Sequence, residues 1–241
     1  MNQSFSLTIV VPAYNEKDNI KGTITNLIKI LHDCNVDWEL ILVDDGSMDE
    51  TGSICDLLAK ENMQIKVIHH DCNMGIGRCF RDGVKAATKD VITWIPADGE
   101  NDFSELFKYF LLLEHVDIIV PYVVNIGVRS WGRRLLSAVY LWIINLSFGT
   151  MFNYTNGNII YKRKVLEGIK PDSRGFFFQS ECLIRAIRAG FIFAEVPVRL
   201  KERKRGLSKA LTTKSFYLVM GEFIKFFFAV HIFRRVGRVT K

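Results

Sequence analysis

Two hydrophobic rhythms alternate through the first half of the chain. Leu7 to Val11 is an unbroken run of apolar and β-branched residues closed by Pro12, which predicts a strand buried on both faces. Ile20, Ile24, Leu27, Ile28 and Leu31 then recur at helical spacing, and Leu40 to Val43 gives a second apolar strand ending in Asp44, Asp45 and Gly46. A helix over Asp49 to Asn62, a strand over Ile65 to Ile68, a helix over Ile76 to Ala87 and a strand over Val91 to Ile95 continue the pattern. Phe103 to His115 reads as another helix and Asp117 to Val124 as a fifth strand. Strands alternating with helices of this length predict an α/β fold with a parallel sheet and right-handed crossovers.

Near residue 125 the rhythm changes. Leu135 to Phe152 is a long uncharged apolar stretch interrupted by Asn145 and Ser147, short of the ~20 apolar residues that a membrane span needs. Asn158 to Tyr161 and Ala194 to Val198 read as strands, with a helix over Gln179 to Ala189 between them, and Phe216 to Phe233 is apolar on nearly every face. Without an internal repeat or a low-complexity linker, one domain over 1–241 is expected, with a shift near residue 125 and a C-terminal apolar, basic segment over 213–241.

Composition alters this picture in three places. Eighteen Phe is a high count, and Phe176, Phe177, Phe178, Phe191, Phe193, Phe216, Phe223, Phe226, Phe227 and Phe228 gather late in the chain, which predicts an apolar surface as well as a core. The net charge of +6 is also concentrated late, in Arg199, Lys201, Arg203, Lys204, Arg205, Lys209, Arg234, Arg235, Arg238 and Lys241. That asymmetry calls for an anionic partner, and charge alone admits nucleic acid, a phosphorylated substrate or an anionic membrane. Finally, five cysteines without CxxC spacing, behind an N-terminus that lacks a signal-peptide layout, predict reduced thiols and a cytoplasmic location.

In open parallel sheets, ligands bind beyond the carboxyl ends of the strands. Here those ends read Pro12-Ala13-Tyr14-Asn15-Glu16, Asp44-Asp45-Gly46-Ser47 with Asp49, and Pro96-Ala97-Asp98-Gly99-Glu100. Three acidic clusters along one edge repel each other unless something positive or hydrogen-bond-donating lies between them, and a metal-bound nucleotide diphosphate meets that need. The histidines show no comparable pattern, so none is assigned a catalytic role.

Val10-Val11-Pro12-Ala13-Tyr14-Asn15-Glu16, then Val43-Asp44-Asp45-Gly46-Ser47 with Asp49 and Thr51, then Asn73-Met74-Gly75-Ile76-Gly77, resemble in order and spacing the signature of family 2 glycosyltransferases. The resemblance implies a GT-A type α/β fold and a nucleotide diphosphate sugar donor. It implies donor contacts from Pro12, Ala13, Tyr14 and Glu16, from Asp44, Asp45, Gly46 and Ser47, and from Gly75, Ala97 and Asp98, with base and ribose falling to Pro12, Tyr14, Glu16 and Asp44. The family's metal motif is commonly Asp-x-Asp, and this chain reads Pro96-Ala97-Asp98, keeping the second Asp. Asp98, with Glu100 two residues on, is therefore the implied ligand pair for Mg²⁺ or Mn²⁺, and carboxylate oxygens suit such hard cations.

The second half resembles the dolichyl- and polyprenyl-phosphate sugar synthases of that family. Glu202-Arg203-Lys204-Arg205-Gly206-Leu207-Ser208-Lys209 is similar to their basic loop, Asn156 to Arg163 to a strand segment, and Arg129, Arg133 and Arg134 lie where they place arginines for an acceptor phosphate. The implied catalytic set is Asp98, Glu100, Arg129, Arg134, Glu181, Arg203 and Lys209. Glu181 is either a base for a hydroxyl acceptor or a group that orients basic neighbours of a lipid phosphate. The implied partners are a polyprenyl phosphate and an anionic membrane surface met from the cytosolic side, with no nucleic acid. A homo-oligomer through the C-terminal apolar helix, a glycan hydroxyl as acceptor, and a nucleotide-sugar-binding subunit without turnover remain alternatives.

Overall fold

A computed structural model of the protein describes residues 5–99, 103–125, 127, 131–199 and 213–232, the side chains of 213–216 excepted. The chain divides into two compact units, Met1–Lys108 with Ile160–Arg163, and Tyr109–Ile159 with Lys164–Lys241. The units part at Lys108, earlier than the change of rhythm near residue 125.

The first unit is the expected α/β sheet. Strands β1 (Leu7–Ala13), β2 (Trp38–Asp44), β3 (Ile65–His69) and β4 (Val91–Trp94) run parallel in the order β3-β2-β1-β4. Strand β6 (Ile160–Lys162) lies beside β4, antiparallel to it. Every residue of β1 and β2 is buried, because helices cover the sheet on both faces. Pro12 is tolerated inside β1 because pairing with β4 ends at Val10↔Trp94. Its carbonyl still accepts the Ala97 N–H on that side, so proline removes a donor just past the paired ladder and keeps the acceptor.

Helix α1 (Ile20–Asp33) buries Ile20, Ile24, Leu27 and Leu31 of the stripe its periodicity predicts, with Ile28 at the half-buried margin. Helix α2 (Thr51–Glu61) buries Cys55 and Leu58, and α3 (Ile76–Ala86) buries Cys79, Phe80 and Gly83. Gly83 lets α3 lie directly on β1, since a Cβ there would sit 2.4 Å from Val10 Cγ1. At the amino edge of the sheet, Thr8 and Glu39 share one row and are hydrogen-bonded at 2.7 Å. Glu39 also accepts from Thr88 Oγ1 and Lys66 Nζ, both at 2.9 Å.

Phe103 to His115 is not one helix. It divides into α4 (Ser104–Phe107) and a 3-10 turn over Phe110–Glu114. Buried Phe103, Leu106, Phe110 and Leu113 keep a spacing of three to four, which α and 3-10 geometry share.

In the second unit, β5 (Ile118–Val123) and β7 (Phe193–Val198) pair in parallel from Ile118↔Phe193 to Val123↔Val198. Helix α5 (Trp131–Phe148) corresponds to the uncharged stretch, α6 (Arg163–Glu167) follows β6, and α7 (Phe178–Arg188) is buried over most of its length. Helix α8 (Thr213–His231) meets the end of α5 through Phe148, whose ring lies 5.3 Å from Phe226 and 6.0 Å from Phe223 between centroids. His231 Nε2 donates to the Ser147 carbonyl at 2.8 Å, joining the same two helices.

Candidate active site

The carboxyl-edge loops of the first unit are hydrogen-bonded to one another. Asn15 holds a left-handed conformation (φ 52°). Its N–H donates to Ser47 Oγ at 3.0 Å and its Oδ1 accepts the Met48 N–H at 2.9 Å. The Glu16 N–H donates to Thr51 Oγ1 at 2.8 Å, and Asp49 Oδ1 accepts the Thr51 N–H at 3.0 Å. The β1 loop is thereby fixed on the β2 loop. The Asp45 N–H donates to the Ala13 carbonyl at 2.9 Å, while the Asp45 carboxylate accepts the N–H groups of Met74 and Gly75, each at 2.9 Å. Gly75 opens α3 at φ 91°, a conformation that favours glycine. The β4 loop is tied in by Ala97, whose N–H donates to the Pro12 carbonyl and whose own carbonyl accepts Thr23 Oγ1 at 3.0 Å.

The two consecutive carboxylates therefore differ in task. Asp45 is buried and clamps the loop over 73–75 through the N–H groups of Met74 and Gly75. Asp44 accepts the Ser47 N–H on Oδ1 at 3.0 Å and meets His69 Nδ1 on Oδ2 at 3.1 Å. Tyr14 stands partly exposed beside them, as do Gly46 and Ser47 on the β2 loop. The histidines that carried no pattern in the sequence lie against both aspartates: His70 Nδ1 is 2.7 Å from Asp45 Oδ1, and its Nε2 faces Asp82 Oδ2 at 3.4 Å. The signal was present as two consecutive His ending β3 beside two consecutive Asp ending β2, because the parallel register puts Asp44 opposite His69.

Asp98 follows β4 with Gly99 in the left-handed region (φ 71°), and both line a groove of ≈ 390 Å³ with Asn19, Thr23 and Asn26. Its carboxylate is hard-oxygen chemistry of the kind Mg²⁺ or Mn²⁺ takes. A different trio, Asp45, His70 and Cys79, has ligand atoms within 4.8 Å of one another. It suits those ions poorly: burial and Asp45 push the Cys79 thiol far up, and the Asp45 oxygens already accept two backbone N–H groups and the imidazole. Glu100, Arg129, Arg203 and Lys209 lie outside the described residues.

In the second unit, Glu181 is buried in α7 with both carboxylate oxygens engaged. It accepts the Ser173 N–H at 2.9 Å, Ser173 Oγ at 2.6 Å and the Asp172 N–H at 3.1 Å, and it pairs with Arg185. Ser180 bonds Thr155 Oγ1 at 2.9 Å and Tyr140 Oη at 2.7 Å, and burial pushes the Tyr140 phenol strongly up. Arg134 is exposed on the first turns of α5. Six of that helix's large apolar side chains (Trp131, Leu135, Leu136, Val139, Trp142 and Leu146) are exposed as well. Among the described residues no helix is long and apolar enough to cross a membrane.

A parallel sheet with Asp44, Asp45 and Asp98 each at or just beyond the carboxyl end of a strand fits the GT-A architecture, and the solved structures agree on that fold. Mannosyl-3-phosphoglycerate synthase from Rubrobacter xylanophilus superposes with a TM-score of 0.72 at 14% identity, over 98% of this chain and 77% of that one. Glucosyl-3-phosphoglycerate synthase from Mycobacterium tuberculosis, in complex with Mn²⁺, UDP and phosphoglyceric acid, gives 0.64 at 20% identity, over 98% of this chain and 80% of that one. Residues 8–170 match glycosyl transferase family 2, and the chain belongs to that family. It is 32% identical to the polyprenol monophosphomannose synthase of Mycolicibacterium smegmatis over 83% of this chain and 79% of that protein. Glycosyltransferase AglD of Haloferax volcanii is 29% identical over 80% of this chain and 32% of its own length.

Proposed function

We propose that the protein transfers a sugar from a nucleotide diphosphate sugar to a polyprenyl phosphate at the cytosolic face of a membrane, inverting the anomeric carbon in one displacement. The donor half of this reading rests on the fixed loops of the first unit. Tyr14 and Asp44 hold base and ribose, Asp45 keeps the loop at Gly75 in place, and the Ala97 backbone leads into Asp98. Asp98, together with Glu100, would hold a divalent cation, which when bound neutralises the departing diphosphate as a Lewis acid. Similarity to a polyprenol monophosphomannose synthase supports the acceptor class.

The observation that carries the choice of acceptor is the surroundings of Glu181. A general base needs a free lone pair within reach of the proton it takes. Glu181 spends its oxygens on Ser173, Asp172 and Arg185. A phosphate monoester is already anionic near neutral pH and needs no base, so this arrangement favours a lipid phosphate over a glycan hydroxyl. Arg134, with Arg129, Arg203 and Lys209, grips that phosphate in this reading, and guanidinium forks suit two phosphate oxygens at once.

The test is turnover. Purified protein with Mg²⁺ or Mn²⁺ and a panel of GDP-, UDP- and dTDP-sugars is expected to release nucleotide diphosphate and to glycosylate polyprenyl phosphate. Transfer to a glycan hydroxyl alone would overturn the acceptor, and binding of nucleotide sugar without any release would make the protein a binding subunit.

A further inference from the structure

We propose that His69 is a positioning residue of the donor site, bridging Asp44 to Asp56 so that Asp44 is fully held while the imidazole carries both protons. The inference rests on the donor role of Asp44 argued above. His69 ends β3 directly opposite Asp44 in the sheet register. Its Nδ1 lies 3.1 Å from Asp44 Oδ2, and its Nε2 lies 3.1 Å from Asp56 Oδ1 on α2. The close approach depends on Gly52: a Cβ there would fall 2.6 Å from Asp44 Oδ2 and 3.4 Å from His69 Cε1.

Both carboxylates are acceptors, so the ring satisfies them together only as imidazolium, which has two N–H donors. A neutral ring has one N–H to divide between two acids, and Asp44 then loses its full-time donor along with the nearby positive charge. The groups facing the ring agree on direction. Asp44 comes from β2 and Asp56 from α2; the Cys55 thiol on the same helix is pushed up to about 12 by burial and by those two acids, and stays neutral. His70, next in the chain, is turned toward Asp45 and Asp82 instead. Burial alone would lower the His69 pKa, and the hydrogen bonds to Asp44 and Asp56 outweigh it and raise it above the usual 6.5. A raised histidine pKa means that the bridge is complete below about 6.5 and is lost as pH rises through the higher, folded-state value.

The experiment pairs calorimetric binding of GDP and UDP with Mg²⁺, from about pH 5 to 8, with histidine NMR titration of the same full-length protein. The better-binding nucleotide is expected to weaken by about fivefold as His69 deprotonates, the size of a half-exposed ion pair. His69→Gln, whose neutral amide keeps an NH₂ donor group but cannot titrate, supplies the baseline for the nucleotide's own titration and should lack that step. Asp56→Asn should move the His69 NMR midpoint and the binding midpoint down together while matching the parent at the acid end, a correlated shift that a merely structural histidine would not produce. Parent binding with no step beyond the His69→Gln baseline, or an Asp56→Asn variant that moves the NMR midpoint alone, overturns the inference and leaves the donor site standing. No binding of either nucleotide by the parent at any pH overturns the donor reading, and this inference with it.

Discussion

Arg185 reaches back one turn of α7 and sets two nitrogens on Oε1 of Glu181, Nε at 2.8 Å and Nη2 at 2.7 Å. The same guanidinium lies over the Phe226 ring, 5.0 Å from its centroid, so one cation joins α7 to α8. Glu181 meanwhile holds the turn at Asp172 and Ser173 from its other oxygen. The carboxylate is thus a structural junction whose removal should be felt first in stability.

Glu181→Gln replaces one carboxylate oxygen with an NH₂, which must face either the Ser173 donors on Oε2 or the Arg185 donors on Oε1, so donors stand face to face on one side in a buried place. The expected cost is about 1–3 kcal/mol of unfolding free energy, read by denaturant titration. Nucleotide binding should be unchanged, and turnover of the folded fraction with polyprenyl phosphate should fall less than about tenfold, since a positioned base typically contributes a hundredfold or more. A variant of parental stability with almost no turnover would instead make Glu181 a base and the acceptor a hydroxyl.

Asp98→Ala is expected to lower metal-dependent turnover at least about a hundredfold, roughly 3 kcal/mol of transition-state stabilisation, with the denaturation midpoint unchanged. The residue sits in a loop whose geometry is kept by its neighbours: Ala97 holds the backbone through Pro12 and Thr23. Near-parental turnover would remove Asp98 from the site.

Glu39 gives a pH-dependent prediction away from the chemistry. Burial would raise its carboxyl pKa, but Lys66, Thr88 and Thr8 outweigh it and bring it from 4.5 to about 2. A depressed carboxyl stabilises the fold in full above about pH 4.5 and loses that contribution as pH falls through about 2. Glu39→Gln should therefore be less stable than the parent at pH 7, and the gap should close on acidification across that window. A gap that stays constant with pH would mean that the carboxylate's charge contributes nothing.

Much of the fold was legible because burial on both faces leaves a plain mark. β1 and β2 appear as continuous apolar runs for that reason, and α1 shows its stripe because only one face is covered. The break at Tyr109 was not legible: a spacing of three to four permits α and 3-10 alike, and the Tyr109 hydroxyl donates to the Pro197 carbonyl, 88 residues away. The direction of β6 was hidden too, since three residues carry no orientation and the segment is fixed by long-range contacts, with Arg163 donating to the Ala87 carbonyl at 3.1 Å. At the site, motif order exposed Asp44, Asp45 and Asp98 but not how they are held. The roles of His69, His70, Asp56 and Asp82 depend on sheet register and on which helix faces which strand end.

A polyprenyl tail cannot be delivered from water, so in the proposed reaction the protein has to meet its acceptor at a bilayer. Helix α5 exposes Trp131 at 73% and Trp142 at 65% among Leu135, Leu136, Val139 and Leu146, and α8 exposes Tyr217, Leu218, Ile224 and Phe228, with Ile232 exposed just past its end. Each helix buries only part of its apolar surface, through Ile144 and Phe148 on α5 and Phe226 and Val230 on α8. Aromatic and aliphatic side chains in that arrangement suit an interfacial helix, with indole rings at headgroup depth. Arg234, Arg235, Arg238 and Lys241, outside the described residues, follow α8 directly in sequence and add about 1 kcal/mol each near an anionic surface. Co-sedimentation with phosphatidylserine-containing liposomes should therefore capture the protein, more weakly in high salt and more weakly after removal of residues 234–241. Trp142→Ser should reduce capture without lowering the denaturation midpoint, because the ring has little protein contact to lose. A dimer in solution that ignores liposomes at every salt concentration would assign these exposed faces to a second copy of the chain instead.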